Sequence, residues 1–183
     1  MKIKSLIVLA GFALMLMSVP GAQAQVNSNT ASVNLNAVMA ETISVSAAPG
    51  TVNFTPLSSN GVTNGDSSIT VNTSWVLQPS RTTMDVYAYF VSSAAALTHS
   101  TDVTFVIPSS RVEGQINAGA FTAFTGNSPF GAGSSLTVAS VAIIGNNKNS
   151  SRSDSLTLRI DTTGAALPAG TYTGTLLIQA QAI

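Results

Sequence analysis

Beyond its first 24 residues the sequence never sustains apolar spacing at three, four and seven positions for the length of a helix; the period that recurs is two. Residues 68–78 place Ile69, Val71, Thr73, Trp75 and Leu77 on one side of an extended ribbon and Thr70, Asn72, Ser74 on the other, which predicts a half-buried strand with Trp75 pointing inward. Residues 83–92 set Val86, Ala88 and Phe90 against Tyr87, Tyr89 and Val91, a strand with apolar matter on both faces. Comparable runs occur at 32–39, 42–47, 103–107, 112–116, 121–125, 135–144, 155–160 and 171–182, with a brief extended piece at 51–55. Turn residues delimit them, among them Pro49-Gly50, Asn60-Gly61 and Asn64-Gly65. Short strands separated by turns and not by helices predict an all-β sandwich of about 8 to 10 antiparallel strands. Residues 94–97 have room for one helical turn at most.

The first 24 residues are of another kind. Lys2 and Lys4 precede an apolar run from Leu6 to Met17, and Ala22-Gln23-Ala24 closes the segment with small residues at the cleavage spacing. The apolar run is about a dozen residues, short of the roughly 20 that span a bilayer. A signal peptide cleaved after Ala24 is expected, followed by a flexible arm at 25–31 and one domain at 32–183. No later stretch approaches spanning length, so no transmembrane anchor is expected after processing, and the location expected is periplasmic, secreted or cell-surface.

Charge and cysteine content exclude whole classes. Two of the seven basic residues fall in the leader, and the remaining five, Arg81, Arg111, Lys148, Arg152 and Arg159, are too scattered to displace phosphate counterions as a patch, so nucleic acid is not an expected partner. With no cysteine there is no disulfide framework, thiolate metal site or thiol nucleophile, and packing alone must hold the fold. Only 8% of residues are charged, so the surface is coated with Ser, Thr and Asn.

Catalytic chemistry finds few footholds. His99 is the only histidine, and it sits between Thr98 and Ser100 close to Asp102 in a stretch read as a solvated loop. Neither a three-ligand metal site nor a Ser-His-Asp arrangement follows from that proximity. The carboxylates Glu41, Asp66, Asp85, Asp102, Glu113, Asp154 and Asp161 show no calcium-loop spacing and are expected to serve in turns and ion pairs. No catalytic residue, cofactor or metal ligand is assigned, and the chain is not read as an enzyme. Residues 145–154 (GNNKNSSRSD) read as a polar loop whose Lys148 and Arg152, together with Phe124 from a Gly-rich stretch, are candidate contacts for a glycan or a protein.

The most informative stretch is residues 167–183, LPAGTYTGTLLIQAQAI, a Pro-Ala-Gly turn leading into a long alternating strand. A tyrosine two residues beyond a turn glycine resembles the tyrosine corner of immunoglobulin-like domains, whose hydroxyl bonds back to the preceding turn. There it marks a penultimate strand, whereas here nothing follows that strand. The leader, the β pattern and this ending together resemble secreted fimbrial subunits of the chaperone-usher kind and their spore-coat-U-like relatives.

The resemblance implies an immunoglobulin-like sandwich lacking its final strand, with other copies or related surface subunits as partners. It implies strand addition, in which an alternating extension of one subunit fills the gap in the next. On that reading Val33, Leu35, Ala37 and Met39 are donor side chains, and Tyr172, Leu176 and Ile178 lie on the accepting strand. The competing expectation is that residues 32–39 form the first strand of their own complete sandwich. An extracellular carbohydrate- or protein-binding module is the alternative to a structural subunit.

Overall fold

The computed structural model describes residues 26–183, so the expected signal peptide lies outside the described residues. Residues 39–183 form one compact unit, and residues 26–38 are no part of it. The described residues are all-β and antiparallel, with one short 3-10 turn at Ser109–Arg111. Thirteen strands follow in order: β1 Thr42–Ala48, β2 Val62–Asn64, β3 Ile69–Val76, β4 Thr83–Tyr89, β5 Leu97–His99, β6 Val106–Ile107, β7 Val112–Ile116, β8 Phe121–Ala123, β9 Gly126–Asn127, β10 Ala132–Ala142, β11 Asn149–Asp161, β12 Tyr172–Thr173 and β13 Leu177–Ala182.

They make a larger sheet in the order β1-β3-β11-β7-β8, with β2 also on β11, and a smaller sheet in the order β13-β4-β10-β9. A third sheet, β12-β5-β6, is short. The period of two decides which side chains meet. Ile69, Val71 and Trp75 of β3 and Leu156, Leu158 and Ile160 of β11 turn inward from the larger sheet, and Met84, Val86 and Ala88 of β4 turn inward from the smaller one. All belong to one buried cluster, so two apolar sheet faces close on each other as a sandwich. The Trp75 indole is inside as its spacing predicts, and its Nε1 donates to the Asn147 carbonyl at 2.8 Å. In β10 the pairing register with β4 slips between Thr137 and Ala139, a bulge that buries both Val138 and Ala139.

Several boundaries differ from expectation. Residues 32–39 form no strand, and β1 begins at Thr42. Residues 51–55 join no ladder, although Val52 and Phe54 pack on the core. Leu97 opens β5 where a helical turn had room to form. Only Val106–Ile107 of the run 103–107 is strand. β11 starts at Asn149, six residues ahead of its apolar part, because its outward Ser151 and Ser153 are as polar as loop residues while their main chain pairs with Ser74 and Asn72.

Candidate functional site

The segment 167–183 is built as a corner followed by a change of sheet. The Tyr172 hydroxyl donates to the Pro168 carbonyl at 3.0 Å, the back-bond expected of a tyrosine corner, and burial holds the phenol above its ordinary pKa. Tyr172 pairs across the ladder with His99, and their rings meet edge to face at 5.0 Å. Gly170 has to be glycine because a Cβ there would overlap the imidazole at Nε2. Gly174 has the same requirement: an added Cβ would run into the Ala96 carbonyl oxygen where the chain leaves β12.

The alternating run therefore does not remain one strand. Tyr172 stays with β5, while residues 177–182 pair with β4 in the register Leu177 to Tyr89 through Ala182 to Met84. Tyr172 is thus separated from Leu176 and Ile178, with which a single strand would have grouped it.

β13 is bonded to β4 on one side, and no strand is hydrogen-bonded to its other side among the described residues. It borders β1, the edge of the larger sheet, so two sheet edges meet at one flank of the sandwich. Along that flank Leu176, Ile178, Ala180 and Ala182, and Ile43 and Val45 of β1, are all packed on the core yet only half buried. An apolar seam beside an unpaired row of main-chain N–H and C=O groups is a template for an added strand.

One end of the seam is pinned by charge. Arg81 bonds both Glu41 oxygens, at 3.1 Å through Nε and 3.0 Å through Nη2, and its Nη1 reaches the Ala182 carbonyl at 3.4 Å. Glu41 also accepts from the Gln78 main-chain N–H at 2.8 Å. The hydrogen bond from Arg81, then that from Gln78, holds the Glu41 carboxyl below its usual range. Nothing in the local sequence marks Glu41 and Arg81 as partners, since they are brought together only by the pairing of β1 with β3.

The donor candidates Val33, Leu35 and Met39 are 80%, 92% and 79% exposed, and Ala37 is exposed as well. They carry no regular structure, so the described residues hold them neither as a first strand of this unit nor as a strand in any ladder.

The other candidates are not brought together. Phe124 is fully buried, packed edge to face on Phe90 at 5.1 Å, and is a core residue rather than a loop contact. Arg152 lies within β11 and pairs with Asp154, whose side chain is 1% exposed; Asn117 Nδ2 donates to the same carboxylate at 2.8 Å. The Arg152 hydrogen bond, outweighing burial, keeps the Asp154 carboxyl below its ordinary range. Lys148 sits in the preceding turn, where its carbonyl accepts from Leu77 N–H.

His99 is buried rather than solvated. Its Nδ1 accepts from the N–H groups of Asp102 at 3.0 Å and Thr101 at 3.3 Å, which leaves Nε2 to donate to the Ala169 carbonyl at 3.3 Å. It locks the corner to the loop after β5. Among the described residues no three metal-ligating side chains cluster, and no helix is long and apolar enough to cross a membrane.

No protein-family model matches this sequence, and comparison with curated proteins finds no match.

Proposed function

We propose that this chain is a structural subunit of the cell exterior that assembles by strand addition, residues 33–39 of one copy lying along the free edge of β13 in another copy or a related subunit. The observation that carries this reading is the half-buried apolar seam between β13 and β1, set against an exposed segment whose Val33, Leu35, Ala37 and Met39 repeat at the spacing of that seam. The seven residues span about 23 Å when extended, enough to run the length of β13. Their main chain would satisfy the open row of β13 groups, and each large apolar side chain entering the seam would contribute about 1.5–3 kcal/mol. Ordering the segment costs about 1–2 kcal/mol per residue, so the ladder and the seam must act together. The leader-like first 24 residues support an address outside the cytoplasm, and the sheet order, with β13 and β1 at one flank, fits an immunoglobulin-like sandwich one strand short.

The test compares residues 25–183 with residues 40–183 by light scattering after chromatography, then adds a synthetic peptide of residues 26–41 to the shorter protein. Oligomers from the longer protein, monomers from the shorter one, and peptide binding to the shorter one are expected. Two monomers of unchanged mass and no peptide binding would sink the proposal.

A further inference from the structure

The outer face of the smaller sheet is unlike the rest of the surface. The inner side of β4 already supplies Met84, Val86 and Ala88 to the core, yet its outer side carries two of the three tyrosines of the chain, Tyr87 and Tyr89, both half buried. Phe130 joins them from the turn before β10. Its ring lies 6.0 Å from that of Tyr89 at 29° and 6.1 Å from that of Tyr87 at 65°. The turn is fitted to this purpose at Gly131, where a Cβ would come within 2.7 Å of the Tyr89 Cβ. Three aromatic rings thus form one half-exposed shelf where a solvated sheet face would ordinarily be polar.

Two glutamines and an aspartate border the shelf, with Leu177 opposite Tyr89. Across the ladder Gln179 stands opposite Tyr87 and Gln181 opposite Asp85. The Tyr89 hydroxyl donates to Gln179 Oε1 at 3.1 Å, which orients that amide and leaves its NH2 as a donor. Asp85 is only 7% exposed although it points to the outer face; its Oδ1 accepts from Ser140 Oγ at 2.6 Å. Burial, then the Asp85 charge and a side-chain hydrogen bond to Asp85, hold the Tyr87 phenol above its usual value. No lysine or arginine stands in these ladder rows.

We infer that this shelf, formed by Tyr87, Tyr89 and Phe130 with Gln179, Gln181 and Asp85 at its border, is a contact site for a neutral pyranose glycan. Aromatic faces match the C–H faces of a pyranose ring, and the glutamine amides beside them match its hydroxyls. The one charged side chain in these ladder rows, Asp85, is negative and no lysine or arginine stands with it there, so uronates, sulfated sugars and nucleic acid are disfavoured. The site lies on the face of the sheet rather than at its edge, and it does not depend on strand addition.

The test is affinity electrophoresis of residues 25–183 through gels containing xylan, hydroxyethylcellulose or galactomannan, with polygalacturonate as the charged control. At least one neutral polymer is expected to retard the protein and polygalacturonate is not. Retardation should weaken at least tenfold in Tyr87→Ala and Phe130→Ala, and also in Gln179→Leu, which gives up only the exposed bond from Tyr89 and should still unfold as one cooperative transition. Deleting residues 25–39 should leave retardation intact. Absence of binding to all three neutral polymers, equal binding by the three variants, preference for polygalacturonate, or variants that alter oligomeric mass instead would each overturn the inference, the last by making the shelf a protein contact.

Discussion

The His99 ring occupies the space that any side chain at position 170 would need. Nε2 of the imidazole is held against Gly170 by its bond to the Ala169 carbonyl, and Nδ1 is held from behind by the Asp102 N–H. The corner and the loop after β5 are one packed unit, which Tyr172 completes through its bond to Pro168.

Gly170→Ala should therefore destabilise the domain by about 1–3 kcal/mol, as overpacking does. His99→Ala combined with Gly170→Ala should lose less than the two single changes together, because the smaller partner relieves the overlap. Tyr172→Phe removes only the hydroxyl and should cost about 1 kcal/mol. Urea denaturation of the four variants measures all three effects.

Acid should weaken this protein in part through Asp154. Its carboxyl gives up its proton more readily in the folded state than in the unfolded chain, because Arg152 and Asn117 bond the charged form. Its contribution is thus full above the ordinary carboxylate value of about 3.9 and is lost as pH falls through the lowered folded value. Asp154→Asn should flatten the acid limb of a stability-versus-pH curve. Arg152→Met, which leaves the buried carboxylate with Asn117 as its remaining side-chain partner, should cost about 1–3 kcal/mol at neutral pH.

Phe124→Ala should cost about 3–5 kcal/mol, since it empties a fully buried site against Phe90. Thermal melting with and without a bound polysaccharide checks its consequence: the variant should lose stability without a selective loss of glycan retardation per folded molecule.

Changes in the exposed segment should separate assembly from folding. Leu35→Asp alters a side chain that is 92% exposed, and the melting temperature of the monomer should stay as it is, with any change within about 0.5 kcal/mol. Asn36→Pro removes a main-chain donor that an added strand would need. Both should abolish oligomers detected by light scattering if strand addition operates, and oligomers that survive both changes would speak against it.

The period of two in residues 69–77 and 83–90 was enough to specify extended ribbons and to say which of their side chains turn inward, because strand geometry alternates side chains whatever lies beside the strand. The resemblance of Gly170 and Tyr172 to a tyrosine corner likewise anticipated a bond back to the preceding turn, which is made to Pro168. What lies opposite a ribbon is not local information. Phe124 stands in a Gly-rich stretch whose spacing leaves open whether it is exposed or packed in the core, and Phe90 covers it; Ser151 and Arg152 stand in a stretch that reads as loop, yet β3 pairs with it.

By itself, then, the sequence determined an all-β chain with its inward faces, a consequence of short-range geometry, and, having no cysteine, one without disulfides, while resemblance supplied the tyrosine corner. Only the tertiary structure decided that His99 is buried, that the run 171–182 divides at Gly174 between two sheets, and that Tyr87, Tyr89 and Phe130 share one outer face. Each of these follows from long-range packing, which sets two segments distant in the chain within van der Waals contact and so determines which polar groups find partners and which rings stay at the surface.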